Sequence, residues 1–400
     1  MRQIQRPVAA LVALAPIALL AASPASAWER NRPRTIEVAN LNILHGFACD
    51  PATPADGDQC RVVERIDLLM QHIAAIGCPD LVTLQENVTS EFVQRTATET
   101  VGPLENTAEL IRERLPQLRR RCGVHYRVVL DPLAERPPAQ GRGIDEELIL
   151  SRYPVRASET RRLYSPLDPF FFRHVLYARV VHPAGPVDVF TTHLASGSDL
   201  ANLPCGIPAL PGPPATPPSP PCPAECAPFV DTVRECQAKQ LALFVEARHT
   251  SSGPAFVTGD FNAEPGSAEY AEFTSRGWID SHLAAGNPEC DPGTGLNCTS
   301  GRNDDDLSDL ESPALGQDER IDYIFEVPPA RGARCEDHGF LTPDPDGKFP
   351  VTGTGLFAGE PNPFAPACGA APLPICWPSD HSGNMANLDC RARGRHHGHW

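Results

Sequence analysis

Residues 35–44 alternate apolar and polar side chains and are rich in β-branched residues, which predicts a strand ending near Asn42. Val62, Val63, Ile66, Leu69, Met70 and Ile73 recur at helical spacing across 61–76, and Gly77 and Pro79 close that helix. A short apolar run at 81–84 predicts a buried strand that delivers Glu86. A second amphipathic helix is expected over 104–121. Strands follow at 124–130, 148–151, 175–181 and 187–192. A helix over 229–249 leads to a strand at 255–258 that feeds Gly259 and Asp260. A short helix at 267–275 and strands at 320–325 and 384–388 complete the pattern. Strands and helices interleave, but several strands adjoin with no helix between them. This predicts an α/β fold with mixed sheets rather than a simple doubly wound sheet.

The periodicity breaks in three places. Residues 197–228 and 336–378 are crowded with proline or glycine, and 286–318 are polar and acidic. No regular ladder fits the proline-rich stretch, so these segments are expected to be insertions in one large domain. Residues 393–400 are expected to be a disordered tail. At the other end, 1–27 have the form of a secretory signal peptide: Arg2 and Arg6, an apolar run of 8–22, and Ala25-Ser26-Ala27 as a cleavage site. The run is shorter than a membrane span. An exported protein without a transmembrane segment, extracellular or periplasmic and monomeric, is the expectation.

Composition adds two constraints. The chain has 14 cysteines, an even number and all beyond residue 27, which in an exported protein argues for disulfides. Short-loop pairs expected are Cys49 with Cys60 and Cys290 with Cys298; zinc at Cys222 and Cys226 is the weaker reading. The formal charge is -16, and loss of Arg2 and Arg6 takes it to -18. That excludes a broad basic platform for nucleic acid or anionic membrane, though not a nuclease with a local cation.

The chemistry lies in five short motifs: Leu41-Asn42-Ile43, Leu84-Gln85-Glu86, Thr192-His193-Leu194, Gly259-Asp260-Phe261-Asn262 and Ser379-Asp380-His381. Each sets an amide, carboxylate or imidazole at the end of a strand-like run. Glu86, with Asn42 and Asp380, has the oxygen donors a hard cation such as Mg²⁺ takes. Asp260 and Asn262, two apart on an extended segment, share a face. Asp260 can then orient or deprotonate water while Asn262 donates to a phosphoryl oxygen. Asp322 is expected to fix the tautomer of His381, which activates water or stabilises the charged intermediate. His193 is expected to donate to the phosphate or protonate the leaving oxygen. Arg173 or His174 is a further candidate substrate contact. Ca²⁺ at Asp304-Asp305-Asp306 and metal at His396, His397 and His399 are weaker readings.

Together these motifs resemble the endonuclease/exonuclease/phosphatase superfamily, over roughly residues 34–392. The resemblance implies a four-layer α/β sandwich of two packed mixed β-sheets flanked by helices, with Mg²⁺ or Mn²⁺ (and possible use of Ca²⁺) at one end. It assigns Asn42 and Glu86 to the first metal region, Asp260 and Asn262 to the water, Asp322 to the histidine, and Asp380 with His381 to the terminal pair. His193 resembles the histidine of the deoxyribonuclease-like and sphingomyelinase-like branches. Phe256 and Glu264 depart from the inositol 5-phosphatase signature. The function expected is a divalent-metal-dependent phosphodiesterase using in-line water attack, with nucleic acid favoured as substrate and phospholipid, in a sphingomyelinase-like phospholipase C, as the alternative. An exposed apolar loop would favour the lipid, and Phe170-Phe171-Phe172 is the candidate. A non-catalytic binding module on the same fold is the third reading.

Overall fold

The alternating run at the start of the pattern forms strand β1 (Thr35–Asn42), and its two faces enter two different cores. The computed structural model describes residues 35–45, 58–90, 93–94, 100–101, 103–130, 146–166, 173–197, 201–206, 221–250, 253–302, 316–328, 351–359 and 375–389. All of them fall in one unit, Arg34–Trp400. The leader, Cys49, Phe170-Phe171-Phe172, Asp304-Asp305-Asp306, residues 198–200, 207–220, 303–315, 336–350 and 360–374 of the insertions, and the tail lie outside the described residues.

The strands after β1 are β2 (Leu81–Asn87), β3 (Val93–Gln94), β4 (Thr100–Val101), β5 (Arg127–Leu130), β6 (Glu146–Ser151) and β7 (Val155–Arg162). They continue with β8 (His174–His182), β9 (Gly185–His193), β10 (Ala255–Asp260), β11 (Ile279–Asp280), β12 (Asp322–Val327), β13 (Val351–Phe357) and β14 (Gly383–Asp389). One six-stranded sheet runs β13-β14-β1-β2-β6-β5 and the other β11-β12-β10-β9-β8-β7; β3 and β4 pair separately. Both large sheets are mixed: β1 is parallel to β2 and antiparallel to β14, and β10 is parallel to β9 and antiparallel to β12.

The helices are α1 (Val62–Ala75), α2 (Thr107–Cys122), α3 (Val233–Arg248), α4 (Ala268–Thr274) and α5 (Ser281–Ala284). Asn106, Thr232 and Ser267 cap α2, α3 and α4, each accepting a backbone N–H of the first turn. Gly123 ends α2 in the left-handed region, at φ 69°. Ile66, Leu69, Ile73 and Ile111 of α1 and α2 pack on Ala39, Leu41, Val82 and Leu84. Leu241, Phe244 and Val245 of α3 and Phe273 of α4 pack on Tyr177, Phe190, Val257 and Phe325. Between the sheets lie Val38, Leu81, Ile149, Leu176, Val189, Phe256 and Ile324. The result is the expected four-layer sandwich. Its central strands are buried on both faces, which explains their nearly unbroken apolar runs.

The disulfides join Cys78 to Cys122, Cys205 to Cys222, Cys226 to Cys236, and Cys290 to Cys298 as expected. Cys60 is also disulfide-bonded. Zinc at Cys222 and Cys226 is overturned, because each sulfur is already bonded to a different cysteine. β7 and β13 depart from the sequence reading; β13 lies inside a stretch expected to be irregular.

Candidate active site

Register brings the site together. In the second sheet Asp260 stands directly across from His193 on β9 and from Asp322 on β12, so three motifs form one row. In the first sheet Asn42 pairs with Gln85. A bulge in β2 between Leu84 and Asn87 then turns Glu86, at φ 61°, toward that row. Asn262, at φ 48°, is also left-handed, a conformation asparagine tolerates better than glutamate does. Gly259 has φ 147°, and a Cβ there would meet the Thr192 carbonyl oxygen at 1.9 Å, so only glycine lets β10 and β9 approach.

Side chains of both sheets meet on these points. Asn42 Nδ2 donates to Glu86 Oε1 at 2.8 Å and to Asp260 Oδ2 at 3.0 Å. Its Oδ1 accepts the Leu44 N–H at 3.0 Å. Asn42 therefore presents its nitrogen to both carboxylates and holds them together. The His45 N–H donates to Glu86 Oε2 at 3.0 Å, and His45 Nε2 lies 3.5 Å from the same oxygen. Asp260 Oδ2 faces two imidazoles, His193 Nε2 at 3.4 Å and His381 Nε2 at 3.7 Å. Asn262 donates its Nδ2 to the Leu194 carbonyl at 2.9 Å and has that nitrogen 2.9 Å from His193 Nε2, so it braces His193. Its backbone N–H donates to Asp260 Oδ1 at 2.9 Å.

Asp322 Oδ2 lies 2.8 Å from His381 Nδ1, and Thr299 Oγ1 accepts the N–H groups of Ile321 and Asp322. Burial alone would strip the proton from His381, but the charges of Asp322, Asp380 and Asp260 outweigh it and hold the imidazole protonated well above its ordinary range. Burial and then the charge of Glu86 push the Asp380 carboxyl up. Asp380 Oδ1 lies 3.1 Å from Ser379 Oγ. Burial would also raise Glu86, but His45, His193 and the Asn42 hydrogen bond reverse it and hold this carboxyl well below the usual range.

Glu86 and Asp260 with His193, and Asp260 and Asp322 with His381, form two groups whose ligand atoms lie within 4.8 Å of one another. Asp380 belongs to neither. An ionised Glu86 beside a second carboxylate fits the donor chemistry of a hard divalent cation.

His174 differs from the expectation. It is 1% exposed and sits in the interior between the carboxylates of Glu146, at 3.1 Å, and Glu147. Arg173 is buried too. His174 is thus held by an internal ion cluster instead of facing substrate. Glu147 Oε1 in turn accepts the His193 N–H at 3.0 Å. Sequence reasoning missed Glu146, Glu147 and His45; the available signal was two acids entering the apolar run at 148–150.

The sequence matches the endonuclease/exonuclease/phosphatase family over residues 39–381. No curated protein matches it. Among solved structures, a family protein from Bacteroides thetaiotaomicron aligns with TM-score 0.52 at 15% identity, covering 90% of this chain and 100% of that one. One from Bacteroides vulgatus aligns with TM-score 0.51 at 18% identity, covering 89% and 99%. These likenesses show the fold.

Proposed function

The chain belongs to the endonuclease/exonuclease/phosphatase family, a family of phosphate-ester hydrolases, and on that premise we propose that it is an exported, divalent-cation-dependent phosphodiesterase. The observation that carries this reading is the convergence on Asp260 Oδ2 of Asn42, His193 and His381, with Glu86 held beside it by the same Asn42 amide. Glu86 would hold Mg²⁺ or Mn²⁺, whose chemistry when bound is withdrawal of charge from a phosphoryl oxygen. Asp260 orients the attacking water and accepts its proton. His381, kept protonated by Asp322, donates from Nε2 to a phosphoryl oxygen as negative charge builds there. His193, braced by Asn262 and by Glu147, protonates the departing ester oxygen.

The disulfides support export and an oxidising compartment. Domain limits of 34–392 after a cleaved leader complete the proposal. Nucleic acid is the substrate we favour, and the lipid alternative is decided by the same assay. Purified protein is incubated with Mg²⁺, Mn²⁺ or Ca²⁺ and plasmid DNA, RNA, sphingomyelin or bis(p-nitrophenyl) phosphate, beside His381→Ala. We expect cation-dependent cleavage of the diesters, abolished by chelator and lowered roughly 10²- to 10⁴-fold in the variant. Cleavage of sphingomyelin but not DNA would move the assignment to lipid. Equal turnover by wild type and variant refutes the site.

A further inference from the structure

Arg65 lies on α1 and touches none of the groups assigned to the reaction, yet it is 1% exposed. Its two terminal nitrogens donate to backbone carbonyls. Nη1 donates to Ile43 O at 2.7 Å and to Pro378 O at 3.1 Å, and Nη2 donates to Leu44 O at 2.9 Å. Ile43 and Leu44 directly follow Asn42, and Leu44 sits in the left-handed region at φ 55°. This turn sets the His45 N–H against Glu86. Pro378 directly precedes Ser379, Asp380 and His381. One buried cation therefore ties together the segment that holds Glu86 and the segment that carries His381. Ser379 Oγ, donating to Asn42 O at 2.6 Å, is a second tie between the same two segments.

A buried guanidinium is an expensive way to join two loops. Burial lowers its pKa to about 10, which leaves it charged at neutral pH, and Asp380 and Glu86 supply the opposing charge. A planar fork can reach three carbonyl oxygens in fixed directions; an ammonium on a flexible stem cannot hold the same set in register.

We propose that Arg65 is a positioning residue that sets the separation between Glu86 and His381, coupling cation affinity at the first to phosphate contact at the second. The inference rests on the roles given to those two residues above. It also predicts a division between kinetic constants. Arg65 meets no substrate, so KM in saturating cation should hold while kcat and cation affinity fall together.

The test uses the full chain with Arg65→Lys, Arg65→Met and, as a control on the cation site itself, Glu86→Gln. Mn²⁺ affinity is measured by calorimetry without substrate, kcat and KM on bis(p-nitrophenyl) phosphate at saturating Mn²⁺, and Tm by circular dichroism. Arg65→Lys should bind Mn²⁺ about 10-fold more weakly and lose roughly 10²-fold in kcat, with KM within about 3-fold of wild type. Arg65→Met should lose more of both. Wild-type Mn²⁺ affinity and kcat in Arg65→Lys, with only Tm lowered, would overturn the proposal. So would a raised KM at unchanged kcat, which would make Arg65 a substrate contact. Failure of both Arg65 variants to fold would reduce Arg65 to structural support and also overturn it. Undiminished Mn²⁺ affinity in Glu86→Gln beside weakened affinity in Arg65→Lys would instead fault the assignment of Glu86, separating that failure from this one.

Discussion

Asp322 is fully buried and gives one carboxylate oxygen to His381, while Oδ1 has no hydrogen-bond partner among the described residues. Burial, then the charge of Asp260, pushes its pKa up to about 6, and His381 pulls the other way. The two groups hold one proton between them, and the three carboxylates around His381 keep it on the imidazole. Asp322→Asn removes the charge that retains this proton but leaves the shape. We expect kcat to fall roughly 10²- to 10⁴-fold with little change in Tm, read from single-turnover hydrolysis and a melting curve. A kcat within a few-fold of wild type would mean that the dyad does not serve the reaction. The motif residues were legible because each carries a reactive group at the end of an apolar run. His45 and Glu147 were not. His45 acts through a backbone N–H aimed by the turn at Leu44, and Glu147 accepts a backbone N–H from another sheet. Neither relation leaves a trace in residue spacing. The orientation of the Asn42 amide was hidden for the same reason, since it depends on where Leu44 N–H points.

At the scale of elements, legibility follows burial. β1, β9 and β10 sit inside a sandwich, so apolar runs announce them. β7 is an edge strand that exposes Arg156, Ala157 and Ser158, and its place is set by pairing with β8 rather than by its own pattern. β13 contains two glycines and is likewise an edge strand, pinned by β14. What the runs do not announce is how the two sheets are joined beneath the site. Gln85 Nε2 donates to Asn40 Oδ1 at 2.9 Å in its own sheet and to Thr191 Oγ1 at 2.8 Å in the other. Within the second sheet, β10 and β9 come close at Gly259. A methyl group there would meet the Thr192 carbonyl at 1.9 Å, and φ 147° is closed to other residues, so Gly259→Ala must move β10 away from β9. The row of His193, Asp260 and Asp322 would then lose its register. We expect a loss of about 3 kcal/mol or more in urea unfolding, with activity falling further than the folded fraction. Wild-type stability would show that the two strands have slack there.

For the molecule as a whole, the response to acid sets two opposing effects against each other. A chain of formal charge -16 repels itself, and lowering the pH relieves that repulsion, which favours the fold. Surface charges are screened beyond about 10 Å in ordinary salt, so this gain is modest. Two buried groups act the other way. Burial pushes His72 on α1 down to about 4 from an ordinary 6.5. The unfolded chain therefore takes up that proton first, so the contribution of His72 is complete above pH 6.5 and is lost as the pH falls toward 4. Burial would raise Asp188, but hydrogen bonds from His249, Arg179 and Tyr177 and the charge of Arg179 bring it down to about 2 from 3.8. Its contribution is complete above pH 3.8 and is lost as the pH falls toward 2. A tenfold difference in proton affinity between folded and unfolded chain is worth about 1.4 kcal/mol, so His72 contributes on the order of 3 kcal/mol and Asp188 on the order of 2 kcal/mol, more than the screened surface charges do. Asp322, whose carboxyl burial raises to about 6, works against His72 in the same window: the folded chain takes up that proton first, which adds stability as the pH falls from 6 toward 3.8. The wild-type profile should therefore stay nearly level from pH 6.5 to 4 and fall below 3.8, despite the acidic composition. His72→Gln should turn the level stretch into a rise on acidification, and Asp188→Asn should shrink the fall below 3.8 from a lower plateau. Urea midpoints measured from pH 7.5 to 2.5 at fixed ionic strength separate the two. A wild-type profile that rises steadily on acidification would show that net repulsion, not these interior groups, governs the fold.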